Sequence, residues 1–167
     1  MNKKVEVSYN TQLGYLKTIF THNFDFLTGV LGYTDRGDGV EVEAGTYRNK
    51  TAKVIIRPVS AAAYRFQMYP YGKEPAAANE VFSMEQTVPY QVEETEEYLS
   101  VRTLRMEIRI KKLPWEVSTY LDGRLLTKEQ IRDSNVDNMC KYLPIGFDCD
   151  EEGKVIRVRE SMYMYSD

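Results

Sequence analysis

From Leu104 to Glu129 the chain reads LRMEIRIKKLPWEVSTYLDGRLLTKE, and its apolar and polar residues alternate. Leu104, Met106, Ile108 and Ile110 fall on one side, and Arg105, Glu107, Arg109 and Lys111 on the other. Successive side chains of a β-strand point to opposite faces, so this period of two belongs to a strand with one buried and one solvated face. After the break at Lys112-Leu113-Pro114, the residues Trp115, Val117, Thr119 and Leu121 alternate with Glu116, Ser118 and Tyr120. Asp122-Gly123 follows, a dipeptide suited to the positive φ angles of a two-residue hairpin turn, and Arg124-Leu125-Leu126 starts another strand. The stretch predicts a half-buried antiparallel meander with Trp115 in its core.

The same rhythm runs through most of the chain. Leu27, Val30 and Leu31 precede the turn Asp35-Arg36-Gly37-Asp38-Gly39; Val40, Val42 and Ala44 then alternate with Glu41 and Glu43. Ala52, Val54 and Ile56 make a further strand, and Ile55 between them points to burial on both faces. Tyr64, Phe66 and Met68 oppose Arg65 and Gln67, and an irregular loop runs from Tyr69 to Glu80. Val88, Tyr90 and Val92, then Leu99, Val101 and Thr103, flank the acidic turn Glu93 to Glu97. Tyr142 to Phe147 is a short strand candidate, and Ile156, Val158, Met162 and Met164 alternate along a final one that Glu160 interrupts. Thr127-Lys128-Glu129-Gln130 has the pattern of a capping box, which predicts one short helix from Lys128 to Asp133. Residues 1–26 mix strand-like and helix-like spacings and read as a lead-in segment, with the β-domain at 27–167. About ten strands at intervals of roughly 8–12 residues, with no strand-helix-strand rhythm, imply an all-β antiparallel sandwich.

Composition narrows the function classes. A net charge of −3 on 167 residues gives no basic footprint for nucleic acid. No apolar run reaches membrane-spanning length and the first ten residues lack the apolar centre of a signal peptide, so the expected partners include no membrane and the expected compartment is the cytoplasm. In that compartment Cys140 and Cys149 are expected to stay reduced.

Few residues suggest chemistry. Asp148-Cys149-Asp150-Glu151-Glu152-Gly153 begins like a calcium loop, but the twelfth position, where a bidentate Glu belongs, is Arg159. An acidic hairpin turn fits it better. Two cysteines and the single histidine, His22, are too few for a closed zinc site, so no metal site is expected. Tyr69 and Tyr71 flank Pro70 at the start of a loop, where an aromatic ring can stay open to stack on the C–H faces of a sugar. They are the candidate carbohydrate-binding residues.

The order of these segments resembles the N-terminal β-domain of glycoside hydrolase family 31, the retaining α-glucosidases and α-xylosidases. The resemblance rests on the Lys-x-Pro-aromatic break, the DGRLL hairpin, the upstream TVPYQVEETEEYLSVRT and the downstream DEEGKVIRVRESMYMYSD, and covers roughly residues 27 to 167. It implies a galactose-mutarotase-like sandwich that packs on a catalytic (β/α)₈ barrel of the same polypeptide and helps shape the substrate entrance. The parent enzyme would cleave terminal α-linked glucose or xylose with retention, through two carboxyl groups and no cofactor. No segment here matches the family's nucleophile motif, so this part is expected to be non-catalytic, with a tendency to self-associate through the surface the barrel would cover. A free-standing carbohydrate-binding module is the alternative. A mutarotase, which uses histidine with a glutamate base, is poorly served by His22 alone.

Overall fold

A computed structural model of the chain describes residues 23–72, 88–129, 143–160 and 162–165. They form twelve strands: β1 (Asn23–Asp35), β2 (Val40–Thr46), β3 (Thr51–Ser60), β4 (Ala63–Pro70), β5 (Gln91–Glu94), β6 (Tyr98–Arg102), β7 (Met106–Lys111), β8 (Glu116–Leu121), β9 (Arg124–Glu129), β10 (Gly146–Cys149), β11 (Val155–Arg159) and β12 (Met162–Met164). Sheet I has the order β11-β10-β1-β2-β3-β4 and sheet II the order β12-β9-β8-β7-β6-β5, all pairs antiparallel. The architecture is the expected all-β sandwich.

Each strand buries the face its alternation assigns. Val40, Val42 and Ala44 of β2 and Val54 and Ile56 of β3 meet Leu99, Val101, Ile108, Ile110 and Val117 from sheet II, with Trp115 fully buried among them. Ile55 is buried on the opposite face of β3, as its apolar neighbours imply. The sheets are also stitched through their backbones: Val30 N–H donates to the Lys112 carbonyl and Trp115 N–H to the Thr28 carbonyl, each at 2.9 Å. That close approach requires Gly29, because a Cβ there would lie 2.7 Å from the Lys112 carbonyl oxygen. Between β8 and β9, Asp122 (φ 49°) and Gly123 (φ 80°) form the predicted tight turn. Arg105 grips this turn with two hydrogen bonds to the Asp122 carboxylate, at 3.0 and 2.6 Å.

Three expectations fail in detail. The predicted helix is displaced at its start by β9, which continues through Lys128 and Glu129; the remainder, from Gln130 on, lies outside the described residues, as do residues 1–22 with His22, and Cys140. Lys128 pairs with both β8 and β12 and Glu129 with β12, so the ladder claims the backbone that would have started the helix. Leu104 does not extend the apolar face of β7: it sits in the turn before it and is 90% exposed. The final alternating run is two strands in different sheets, β11 against β10 and β12 against β9, separated at Glu160.

Candidate functional site

Just past the end of β4, Tyr71 reaches Asp25 of β1 and Phe147 of β10 with its side chain. Its φ is 54°, its hydroxyl donates to Asp25 Oδ2 at 3.2 Å, its ring meets Phe147 edge-on at 5.3 Å, and the Lys50 ammonium lies 4.2 Å from the ring centroid. Asp25 is fully buried, and its other oxygen accepts the backbone N–H groups of Phe26 and Arg48, each at 3.0 Å. Burial and then the adjacent Asp25 carboxylate push the Tyr71 phenol well above its usual range. Tyr71 therefore acts as a clasp joining β4 to β1 and β10. Tyr69 points the other way. It pairs with Lys53 in the β3–β4 ladder, alongside Arg65 and Gln67 on the outer face of sheet I, and is half-buried. The structure does not bring the two predicted tyrosines together on one face.

A cleft of about 410 Å³ opens between β4 and the β11–β12 junction. Its walls are mainly apolar, including Tyr64, Phe66, Met68, Val117 and Ile145, with the Glu160 carboxyl at the lining. The Tyr64 and Thr119 hydroxyls, 2.5 Å apart, close one side across the two sheets. Behind the cleft lies Glu129, which is 2% exposed. Val117 N–H donates to its Oε2 at 2.6 Å and Ile145 N–H to its Oε1 at 2.8 Å. Burial raises its carboxyl to about 7 against the pull of those two donors. A glycosidase needs two carboxyl groups facing the scissile bond, roughly 5–9.5 Å apart depending on stereochemistry. With both oxygens held by backbone amides in the interior, Glu129 cannot be one of them.

The outer face of sheet II carries a different arrangement, which the sequence did not single out. The Arg109 guanidinium lies 5.1 Å from the Tyr98 ring centroid and 4.5 Å from that of Tyr120, joining β6, β7 and β8. Glu107 anchors the group: it accepts from Arg109 Nε at 2.7 Å, Arg109 Nη2 at 3.2 Å, Arg102 at 3.2 Å and the Ser100 hydroxyl at 2.7 Å. Burial works to raise the Glu107 carboxyl, but the hydrogen bonds from Arg109, Ser100 and Arg102 outweigh it and hold it at about 2. Beside this group is a depression of about 440 Å³ lined by Gln91, Val92, Glu93, Ser100 and Arg102. Tyr98, Arg109 and Tyr120 all occupy outward positions of their strands, which alternation does reveal. Their convergence depends on the register of three strands, which it does not.

Among the described residues no cluster of His, Cys, Asp and Glu could hold a metal ion. The acidic segment after β10 is a hairpin turn: Asp150 Oδ1 accepts the N–H groups of Glu152 and Lys154, and Gly153 has φ 83°. No described helix is long and apolar enough to cross a membrane.

Comparison with known proteins adds to this geometry. No family model matches the sequence, and no curated protein matches it. Solved structures do match the fold. A Flavobacterium johnsoniae family 31 (GH31) dextranase in complex with glucose superposes with a TM-score of 0.55 at 16% identity, over 67% of this chain and 14% of that one. This chain carries a fold found in glycoside hydrolase family 31. The cycloalternan-forming enzyme of Listeria monocytogenes, solved with a pentasaccharide substrate, matches over 74% of this chain with a TM-score of 0.56 and 23% identity. The match spans only 10% of that enzyme's length, and 10–16% across these family 31 and related structures. The expected all-β sandwich thus has its counterpart in one small part of much larger enzymes.

Proposed function

We propose that this chain is a non-catalytic N-terminal β-domain of a family 31 glycoside hydrolase, whose parent polypeptide cleaves terminal α-linked glucose or xylose with retention. The observation that carries the reading is the fold match to about a tenth of a sugar-processing enzyme, in a chain where two of the buried carboxylates, Asp25 and Glu129, are tied up in backbone hydrogen bonds. In this role the sandwich packs on a catalytic barrel and sets the shape of its entrance. Tyr69, on the outer face of sheet I, is the candidate sugar contact of the predicted pair. Tyr71 contributes by fixing the strand end that carries Tyr69, since its hydroxyl and ring are already engaged.

The test is an activity measurement on the purified chain with nitrophenyl α-glucoside and α-xyloside. The expected result is release of nitrophenol no faster than the uncatalysed background. Turnover that follows the protein through purification, and is lost on replacing Glu160 with Gln, would overturn the non-catalytic assignment.

A further inference from the structure

We propose that the outer face of sheet II, across Tyr98, Arg109 and Tyr120, is a binding platform for a neutral oligosaccharide. The proposal rests on the carbohydrate reading above for its ligand class, and on this face alone for its place.

The argument begins with shape. The Arg109 guanidinium lies over the Tyr98 and Tyr120 rings from the neighbouring strands, so the three side chains form one stacked group across β6, β7 and β8. A tyrosine ring held in this way suits the C–H face of a pyranose through the face it does not give to Arg109, and its hydroxyl can exchange hydrogen bonds with sugar hydroxyls. The adjoining depression supplies a Gln91 amide, a Glu93 carboxylate and an Arg102 guanidinium, all planar groups able to engage two neighbouring hydroxyls at once.

Charge then selects the ligand. Glu107 sits against both Arg102 and Arg109, Glu93 lies 3.8 Å from Arg102, and on the next strands Glu116 pairs with Lys128 at 3.0 Å. An anion approaching the guanidinium groups meets Glu93 and Glu107, and a cation approaching the carboxylates meets Arg102 and Arg109. A neutral polyol can use both kinds of group without repulsion from either.

The platform is also fixed in advance. Ser100, Glu107 and Ser118, though on the solvent face, are buried beneath this layer, and Arg109 is held by two hydrogen bonds and two rings. A ligand therefore need not order these side chains on binding, which removes part of the usual entropic cost.

The experiment is a titration of the whole chain with isomaltotriose and maltopentaose, followed by amide NMR shifts, with an oligogalacturonate as the charged control. Binding of the neutral sugars with shifts centred on β6–β8 is expected, together with weaker or no binding of the oligogalacturonate. Tyr98→Ala and Tyr120→Ala should each weaken affinity by roughly fivefold, the scale of one aromatic stacking contact, while Tyr120→Phe keeps it. Thermal unfolding of each variant separates lost binding from lost folding. No binding, or binding that survives both alanine variants and is lost in Tyr69→Ala, overturns the platform. Either result leaves the family 31 reading intact, since that reading is judged by hydrolysis assays and not by sugar binding here.

Discussion

Replacing Glu129 with Gln should change how the stability of the domain depends on pH. The carboxyl is almost fully buried, and its native-state value is about 7 against an ordinary 4.5, with burial the main cause and the Glu160 and Glu116 carboxylates adding to it. An acid raised on folding keeps its proton longer in the native than in the unfolded chain. Between about pH 4.5 and 7 the native state therefore binds more protons, and stability falls as pH rises. The contribution is fully present below 4.5 and is lost as the pH passes through 7. Its size is roughly 3 kcal/mol by linkage, equivalent to roughly 10 °C in unfolding midpoint for a domain of this length. Gln cannot titrate. Its amide oxygen can accept from one of Val117 and Ile145, but its NH₂ group faces the other N–H, leaving one buried donor unmet at a cost of about 1–3 kcal/mol. Glu129→Gln should thus be clearly less stable than the parent at pH 4.5, with the gap closing or reversing by pH 8. Thermal unfolding followed by circular dichroism across that range reads both curves. A gap that stays constant, or widens as the pH rises, would refute the reasoning.

Other perturbations probe other parts of the sandwich. Glu107 has the opposite sign: its native value of about 2 lies below 4.5, so its contribution is present above pH 4.5 and is lost as the pH falls through 2. Glu107→Gln should accordingly lower the midpoint at pH 7 and do so progressively less toward pH 2, and an unchanged midpoint at pH 7 would count against the anchoring role. Gly29→Ala should destabilise by about 1–3 kcal/mol in urea titration, because the new methyl meets the Lys112 carbonyl where the sheets are stitched. Gly123→Val should cost a similar amount, about 1–3 kcal/mol, since a β-branched residue resists a φ of 80°. Finally, Ile156, Val158 and Met164 leave an apolar strip open along β11 and β12, so sedimentation coefficients should rise with concentration and the rise should diminish in Ile156→Glu. A strict monomer at high concentration would sink that expectation.

Most of the fold is legible in the sequence because its strands each have one wet face. Ile108 and Ile110, Val40 and Val42, and Phe66 and Met68 announce their burial by alternation, and Asp122-Gly123 announces its turn by the φ angles it tolerates. The failures have physical causes. The capping-box pattern at Thr127 is a local preference, and cross-strand pairing of Lys128 and Glu129 to β8 and β12 overrides it. Alternation continues through Met162 as if one strand ran on, because period alone does not show that a chain has crossed from one sheet to the other. For the site, a loop position suggested that Tyr69 and Tyr71 were alike. A positive φ at Tyr71 turns its ring inward onto Phe147 and Asp25, a distinction no composition rule contains. The Tyr98–Arg109–Tyr120 layer was hidden for a related reason: side chains as far apart in sequence as Tyr98 and Tyr120 meet only when three strands are in register.

The most direct test of the account is to express the natural reading frame through and beyond residue 167, with and without residues 1–167, and follow the anomer released from an α-glucoside by proton NMR. The account predicts hydrolysis with retention in the longer polypeptide, loss or severe impairment when the β-domain is removed, and no turnover by the β-domain alone. A longer product without glycosidase activity, or full activity without the β-domain, would contradict it.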